Sequence, residues 1–186
     1  MYDVATICNA LIDLTIKVKE SDLLKLDLLK GQMHLVNSKT QKDIIKYFST
    51  YKPSKCLGGS SLNTIKTLAR LGKKTLFTGS IGADEFGIDL KRQMQDFSIE
   101  EDLCINKECA TGSCVVLVTP DGERTMNTDL GASCLYDESV IPYEKLKQTK
   151  IFHISGYQWD VEKQRDVILK AAAFAKSQGA LVSFDL

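Results

Sequence analysis

The chain has 186 residues, and its 24 Lys and Arg balance its 24 Asp and Glu at a formal net charge of +0. That length argues for one domain with a real core, and the balance, with no long run of either sign, excludes the electrostatic signature of a nucleic-acid or membrane-surface binder. No apolar run is long enough to span a bilayer. The opening residues MYDVATICNALIDL lack a basic n-region and a small-residue cleavage site, which argues against a secretory signal and for a cytoplasmic protein. Six cysteines form no C-x-x-C pair, and only two histidines are present, so the thiols read as reduced and a zinc site is not expected.

The first strand is predicted over residues 2–8. LTIKVKE (14–20) and QMHLVN (32–37) alternate apolar and polar residues, the pattern of strands with one wet face. KTQKDIIKYFSTY (39–51) reads as a helix with Ile44, Ile45 and Phe48 as its apolar stripe. KCLGGSSLNTIKTLARLG (55–72) follows: a strand, two glycines, then a helix with Leu62, Ile65, Leu68 and Ala69 on one face and Ser60 or Ser61 as its cap. KTLFTGSIG (74–82) is a strand, and ADEFGIDLKRQMQDF (83–97) a helix with Asp84 at or near the N-cap. GSCVVLVT and ERTMNTD flank a Pro-Asp-Gly turn and read as a hairpin. KIFHISG (150–156) is a buried strand, residues 161–179 a helix ending at Gly179, and ALVSFDL (180–186) a final buried strand.

This alternation predicts an α/β fold, a mostly parallel sheet with helices on both faces. Fully covered parallel strands are apolar on both faces, so the alternating strands near 14–19, 33–37 and 113–128 are assigned to a second, smaller sheet. Its exposed face suits a cover or a homodimer surface. The final strand has no helix after it, although ligands bind outside the carboxyl ends of such strands, and the chain reads as part of something longer.

The glycine pair poses the functional question. It lacks the lysine of a Walker A loop and the spacing of a dinucleotide fingerprint, so both phosphate readings are weak. Glycines also let a ligand approach the backbone. Asn63 falls in the first helical turn, away from the apolar stripe; its amide suits a hydroxyl, which both donates and accepts, or simply caps the helix. Asn9 and Asp13 follow the first strand at its carboxyl end. A carboxylate there can accept from two neighbouring hydroxyls; taken singly, Asp13 is a surface turn residue.

The stretches NALIDL, GGSSLNTIKTLARLG, GSIGADEFG, TGSCVVLVTPDGERTMNTDLGAS and GYQWD, in this order, resemble the N-terminal part of a PfkB (ribokinase-like) carbohydrate kinase over nearly the whole chain. The G-x-x-G-x-D-x-x-G run of Gly79, Gly82, Asp84 and Gly87 is its specific element. The N-x-x-x-D spacing and the hairpin resemble the nucleoside-kinase branch, in particular bacterial adenosine-kinase-like members. The resemblance implies a ribokinase-like core with a small β lid, ATP and Mg2+ as cofactors, and a sugar or nucleoside as substrate. Asn9, Asp13, Gly59 and Asn63 match its sugar-hydroxyl positions, with Gly58 in the same loop. Arg124 matches a position that in some members approaches substrate or phosphates, and reads equally as a solvated hairpin arginine.

Asp185 matches the region where the family's magnesium environment begins, while Gly79, Gly82, Asp84 and Gly87 match a structural motif. The family's Gly-Ala-Gly-Asp and Asn-x-x-Glu stretches are absent. No catalytic residue is therefore expected among residues 1–186: the expectation is that the parent protein phosphorylates a hydroxyl and that these residues alone do not. A non-catalytic sugar- or nucleoside-binding module is the alternative; a dinucleotide oxidoreductase ranks last. Leu11 and Met33 are candidates for the base or ring pocket, or ordinary packing residues.

Overall fold

Tyr2–Ile7 (β1) is the middle strand of a five-stranded sheet made with Thr75–Gly82 (β5), Glu100–Asn106 (β6), Thr149–Ser155 (β9) and Leu181–Asp185 (β10). The computed structural model describes residues 1–159 and 161–185; Asp160, the last residue of GYQWD, and Leu186 lie outside them. The strand order is β10-β9-β1-β5-β6, and every pairing is parallel. Helices cover both faces, as the alternation predicts. Val4, Cys8, Phe77 and Ile81 pack with Leu62 and Ile65 of Ser60–Arg70 (α3) and Leu90 and Met94 of Glu85–Asp96 (α4). Ala5, Ile7, Phe152 and Ile154 pack with Val167, Ile168, Ala171 and Ala175 of Glu162–Ser177 (α6). Within this sheet the chain goes from β1 to β5 and β6 on one side, then crosses back to β9 and β10 on the other. The order therefore reverses at β1, and the crevice beyond its carboxyl end is where such a sheet takes a ligand.

The second sheet is mixed, with order β3-β8-β7-β2-β4: Met33–Leu35 (β3), Arg124–Asp129 (β8), Gly112–Val118 (β7), Leu11–Lys17 (β2) and Ser54–Gly58 (β4). Period-two alternation divides its faces. Ile12, Leu14, Ile16, Leu57, Val115 and Leu117 join the core on the α3–α4 side, together with Leu23 of Glu20–Lys25 (α1) and Ile44 of Ser38–Tyr47 (α2). The register puts Asp13 opposite Cys56 and Cys114, and Cys114 opposite Thr128, on the other face.

Several expectations change in detail. The strand expected at 14–20 begins at Leu11, and the strand before the glycines belongs to the second sheet. The stripe of α2 is Ile44 and Phe48, with Ile45 36% exposed. β7 has no wet face: it is buried up to its last residue, because it lies between β2 and β8 with the core on one side. β6 escapes the sequence reading because EEDLCIN is a charged edge strand. β10 was expected to be buried and is exposed along its length, since only β9 pairs with it among the described residues. Gly179, at φ +89°, does follow the end of α6 as expected.

Two contacts dock the sheets around the crevice. Asp84 caps α4 by accepting from the Gly87 N–H (2.9 Å), and also accepts from the Thr111 N–H (2.8 Å) and hydroxyl (2.7 Å) at the start of β7. Burial alone would raise its pKa, but these donors outweigh burial and hold the carboxyl below its ordinary value. The second contact is at Gly59, the N-cap of α3, with φ +98° and ψ 137°. A Cβ there would sit 2.7 Å from the Asn9 carbonyl oxygen.

Asp84→Ala should therefore lose a cap, which costs about 0.5–2 kcal/mol, plus the Thr111 links, as measured by chemical denaturation. The stability held by the ionised carboxylate is complete above its unfolded pKa and is lost as pH falls through the lowered native value; Asp84→Asn should remove that part of the acid sensitivity. Gly59→Ala should cost at least about 1–3 kcal/mol, because an L side chain rarely adopts this backbone conformation and the Asn9 carbonyl leaves it no room. Denaturation midpoints of the three variants, followed against pH for Asp84→Asn, check these statements.

Candidate functional site

A cavity of about 300 Å³ opens between the carboxyl end of β1, the amino end of α3 and the inner face of the second sheet. Asn9, Asp13, Gly59, Asn63 and Arg124 all line it. They come from four places in the chain, and the fold brings them together. Leu11 and Met33 line it as well. Gly58 stands behind it: a Cβ there would collide with the Asp13 carboxylate, so only glycine lets that carboxylate lie across β4.

Asn9 is 4% exposed, and its Oδ1 accepts from Gln164 Nε2 at 3.1 Å. Gln164, near the start of α6, also donates from Nε2 to the Ser133 carbonyl at 2.6 Å. Asp13 is half-buried. Burial raises its pKa, and the charges of Arg124 and Lys66 oppose the shift. Among the described residues its carboxylate accepts no hydrogen bond. It is a desolvated acceptor with two cations nearby, poised for hydroxyl donors.

Asn63 is exposed at the other side of the opening. Its N–H bonds the Gly59 carbonyl at 3.0 Å, and its Oδ1 accepts from Lys66 Nζ at 2.9 Å. Lys66 Nζ also lies 3.5 Å from the Leu57 carbonyl. The cap of α3 is Gly59, not Ser60 or Ser61, which are its first helical residues. Gly59 supplies no side-chain acceptor, so no N-cap side chain bonds the first turn of α3. Ser60 lines the cavity, while Ser61 is fully buried.

The remaining wall is mostly apolar. Leu35, Met126, Leu130 and Val161 line it with the ring of Tyr157. Thr128 and Cys114 complete the sheet side. Sequence reasoning missed Met126 and Thr128, although they alternate with Arg124 and so must share its face. Cys114 follows from Asp13 once the strand register is known. The thiols of Cys8 and Cys114 are pushed up by burial, that of Cys114 to about 11, so both are neutral wall residues.

Among the described lining residues Asp13 is the sole carboxylate and Arg124 the sole cation. Among the described residues no group of three or more His, Cys, Asp or Glu could hold a metal ion. Asp185 is exposed at the end of β10, opposite Ser155 in β9, and does not line the cavity. The arrangement can bind and orient hydroxyl groups. Among the described residues it has no cluster of cations to hold phosphates.

Comparisons with known proteins agree with this fold. A model of the pfkB family carbohydrate kinases matches residues 41–186. A probable chloroplastic fructokinase-6 of Arabidopsis thaliana is 31% identical over 134 residues, 70% of this chain and 35% of that protein. A fructokinase of Solanum tuberosum is also 31% identical over 134 residues, 70% of this chain and 42% of its own. Among solved structures, an adenosine kinase from Sinorhizobium meliloti superposes with a TM-score of 0.88 at 28% identity, over 98% of this chain and 56% of that one. A probable sugar kinase from Rhizobium etli CFN 42 gives 0.89 at 26%, over 98% and 55%. The chain thus spans about half the length of these structures and less of the plant relatives. Among its described residues no helix is long and apolar enough to cross a membrane. With the family model matching most of its length, the chain belongs to the PfkB family of carbohydrate kinases.

Proposed function

We propose that these residues form the acceptor-binding half of an ATP-dependent kinase that phosphorylates a hydroxyl of a sugar or nucleoside. The observation that carries this reading is the meeting of Asn9, Asp13, Gly59, Asn63 and Arg124 in one cavity beyond the carboxyl end of β1. Ionised Asp13 accepts from one or two hydroxyls, a charge-assisted pairing. The amides of Asn9 and Asn63 and the first turn of α3 complete the polar contacts. Arg124, in the covering sheet, neutralises charge close to Asp13. That sheet also excludes water, which favours transfer over hydrolysis. Its inner face lines the cavity, so the proposal gives that face to the ligand rather than to a second copy of the chain.

The donor side stands differently. Phosphoryl transfer needs positioned phosphates and charge neutralisation by metal ions. The described residues do not fit a magnesium ion, and no step through one is derived for them. ATP, Mg2+ and the base that takes the hydroxyl proton are assigned to the rest of the protein.

A thermal-shift panel of adenosine, inosine, ribose and fructose on the full-length protein tests the reading. A selective ligand at about 100 times its Kd should add about 2.7 kcal/mol of stability; no shift with any of them, and no ATP-dependent turnover, would overturn it. Asp13→Asn should weaken binding of the selected ligand about tenfold or more, since hydrogen bonds to charged groups contribute about 1.5–3 kcal/mol. Because burial raises the Asp13 pKa, parental binding should fall as pH drops through a value above the ordinary carboxylate range. Asp13→Asn should lack that acid limb in a Kd-versus-pH titration.

A further inference from the structure

We infer that two residues outside the cavity, Lys66 and Gln164, fix the hydrogen-bond polarity of the site by deciding which end of the Asn63 and Asn9 amides faces the ligand. This deepens the proposed function, since it rests on the cavity being the hydroxyl-binding site.

An asparagine amide can be turned either way, presenting oxygen or nitrogen, and the two ends are nearly isosteric. Its partner therefore decides. A lysine ammonium has three donors and no acceptor. Lys66 Nζ lies 2.9 Å from the amide end of Asn63, so that end is the oxygen. The Leu57 carbonyl, 3.5 Å from the same ammonium, helps hold Lys66 in place. Asn63 then has only its Nδ2 protons to offer the cavity.

The same reasoning runs through Gln164. The Ser133 carbonyl can only accept, and Gln164 meets it at 2.6 Å, so the end of Gln164 that faces Ser133 is Nε2. That nitrogen also faces Asn9 at 3.1 Å, and the Asn9 end that meets it is Oδ1. Gln164 is fully buried, and its Oε1 has no partner among the described residues. Turning Gln164 over would set oxygen against the Ser133 carbonyl, so the unpartnered Oε1 is the lesser cost. Asn9 Nδ2 has no hydrogen-bond partner among the described residues and belongs to the cavity side.

Both amides are therefore donors to the ligand, and Asp13 is the acceptor between them in sequence. A ligand hydroxyl can accept from an amide and donate to the carboxylate at once. A ligand group that only donates, such as an ammonium, would meet two donors. Lys66 and Gln164 touch no ligand in this arrangement; they are positioning residues.

The test uses the full-length protein, with adenosine and fructose as the probes. Asn63→Asp keeps the pairing with Lys66, and so the fold, but replaces the donor by an acceptor; it should raise KM about tenfold or more at unchanged melting temperature. Lys66→Met should raise KM about three- to tenfold, the equivalent of one ordinary hydrogen bond, with kcat within about twofold. Lys66→Arg, still a pure donor, should restore it. Parental KM in Asn63→Asp, or in Lys66→Met, overturns the inference. If the parent protein uses neither probe, the functional reading fails instead, and a neutron crystal structure decides the inference without ligand. Deuterium on the Asn63 atom away from Lys66 and on the Gln164 atom facing Ser133 supports it; the reverse at either position overturns it. Loss of the Asn63 preference in Lys66→Met, seen the same way, separates positioning from a general effect on folding.

Discussion

The backbone at Gly58 and Gly59 touches the two groups on which the site depends. A Cβ at either glycine would push into the Asp13 carboxylate or the Asn9 carbonyl. Strand β4 therefore pairs beside Asp13, and α3 starts directly against the turn that follows β1. This is one of the two junctions between the second sheet and the main sheet. The crevice at the strand-order reversal is shaped by it, because α3 presents its uncapped first turn where β1 ends. A phosphate loop would use such a helix start for an anion. Here a carboxylate, Asp13, lines the same cavity, and the proposed ligand is a hydroxyl rather than an anion.

The second junction, Asp84 with Thr111, holds the same end of the covering sheet, where Leu11 pairs with both Gly58 and Gly112. A single carboxylate satisfies the start of α4 and the first residues before β7. Its role is structural although its chemistry resembles a site: three donors surround it and none is left for a ligand. Asp13 is the contrast. It has cations nearby, burial around it and no donor bonded to it among the described residues. Two carboxylates a short way apart in the fold are thus separated by their donors, one already satisfied and the other still to be satisfied.

The parts that were legible in the sequence are those governed by local rules. Alternation in LTIKVKE and ERTMNTD marked strands, the turn residues marked the hairpin, and Asp84 stood where a helix cap belongs. Asn9, Asp13 and Asn63 stood out because they follow β1 or open α3, near the strand ends where ligands bind in an α/β sheet, and because the resemblance matched them; the structure places Asp13 inside β2. What was hidden depended on distant pairing. Apolar β10 reads as core but is exposed, pairing only with β9 among the described residues, and charged β6 carries no strand pattern yet is a strand. Gln164, in a polar stretch of helix, has the sequence appearance of a solvated residue. Only the packing of α6 against the turn after β1 makes it fully buried and places it beside Asn9.

The polar and apolar halves of the cavity rest on supports of different stiffness. The polar half is built on turns pinned by glycines, a helix start and buried amide contacts, where a shift of a few tenths of an ångström meets backbone. Much of the apolar half comes from β8 and from three-residue β3, which pairs only with β8 and exposes Met33 and Leu35. Side chains on such an edge can be exchanged at small cost to the fold, since surface substitutions usually change stability by less than about 0.5 kcal/mol. On the proposed function, recognition of hydroxyls is thereby tied to the core, while the shape of whatever the hydroxyls are attached to is read in part by the short strand β3, where side chains can change without disturbing the polar half.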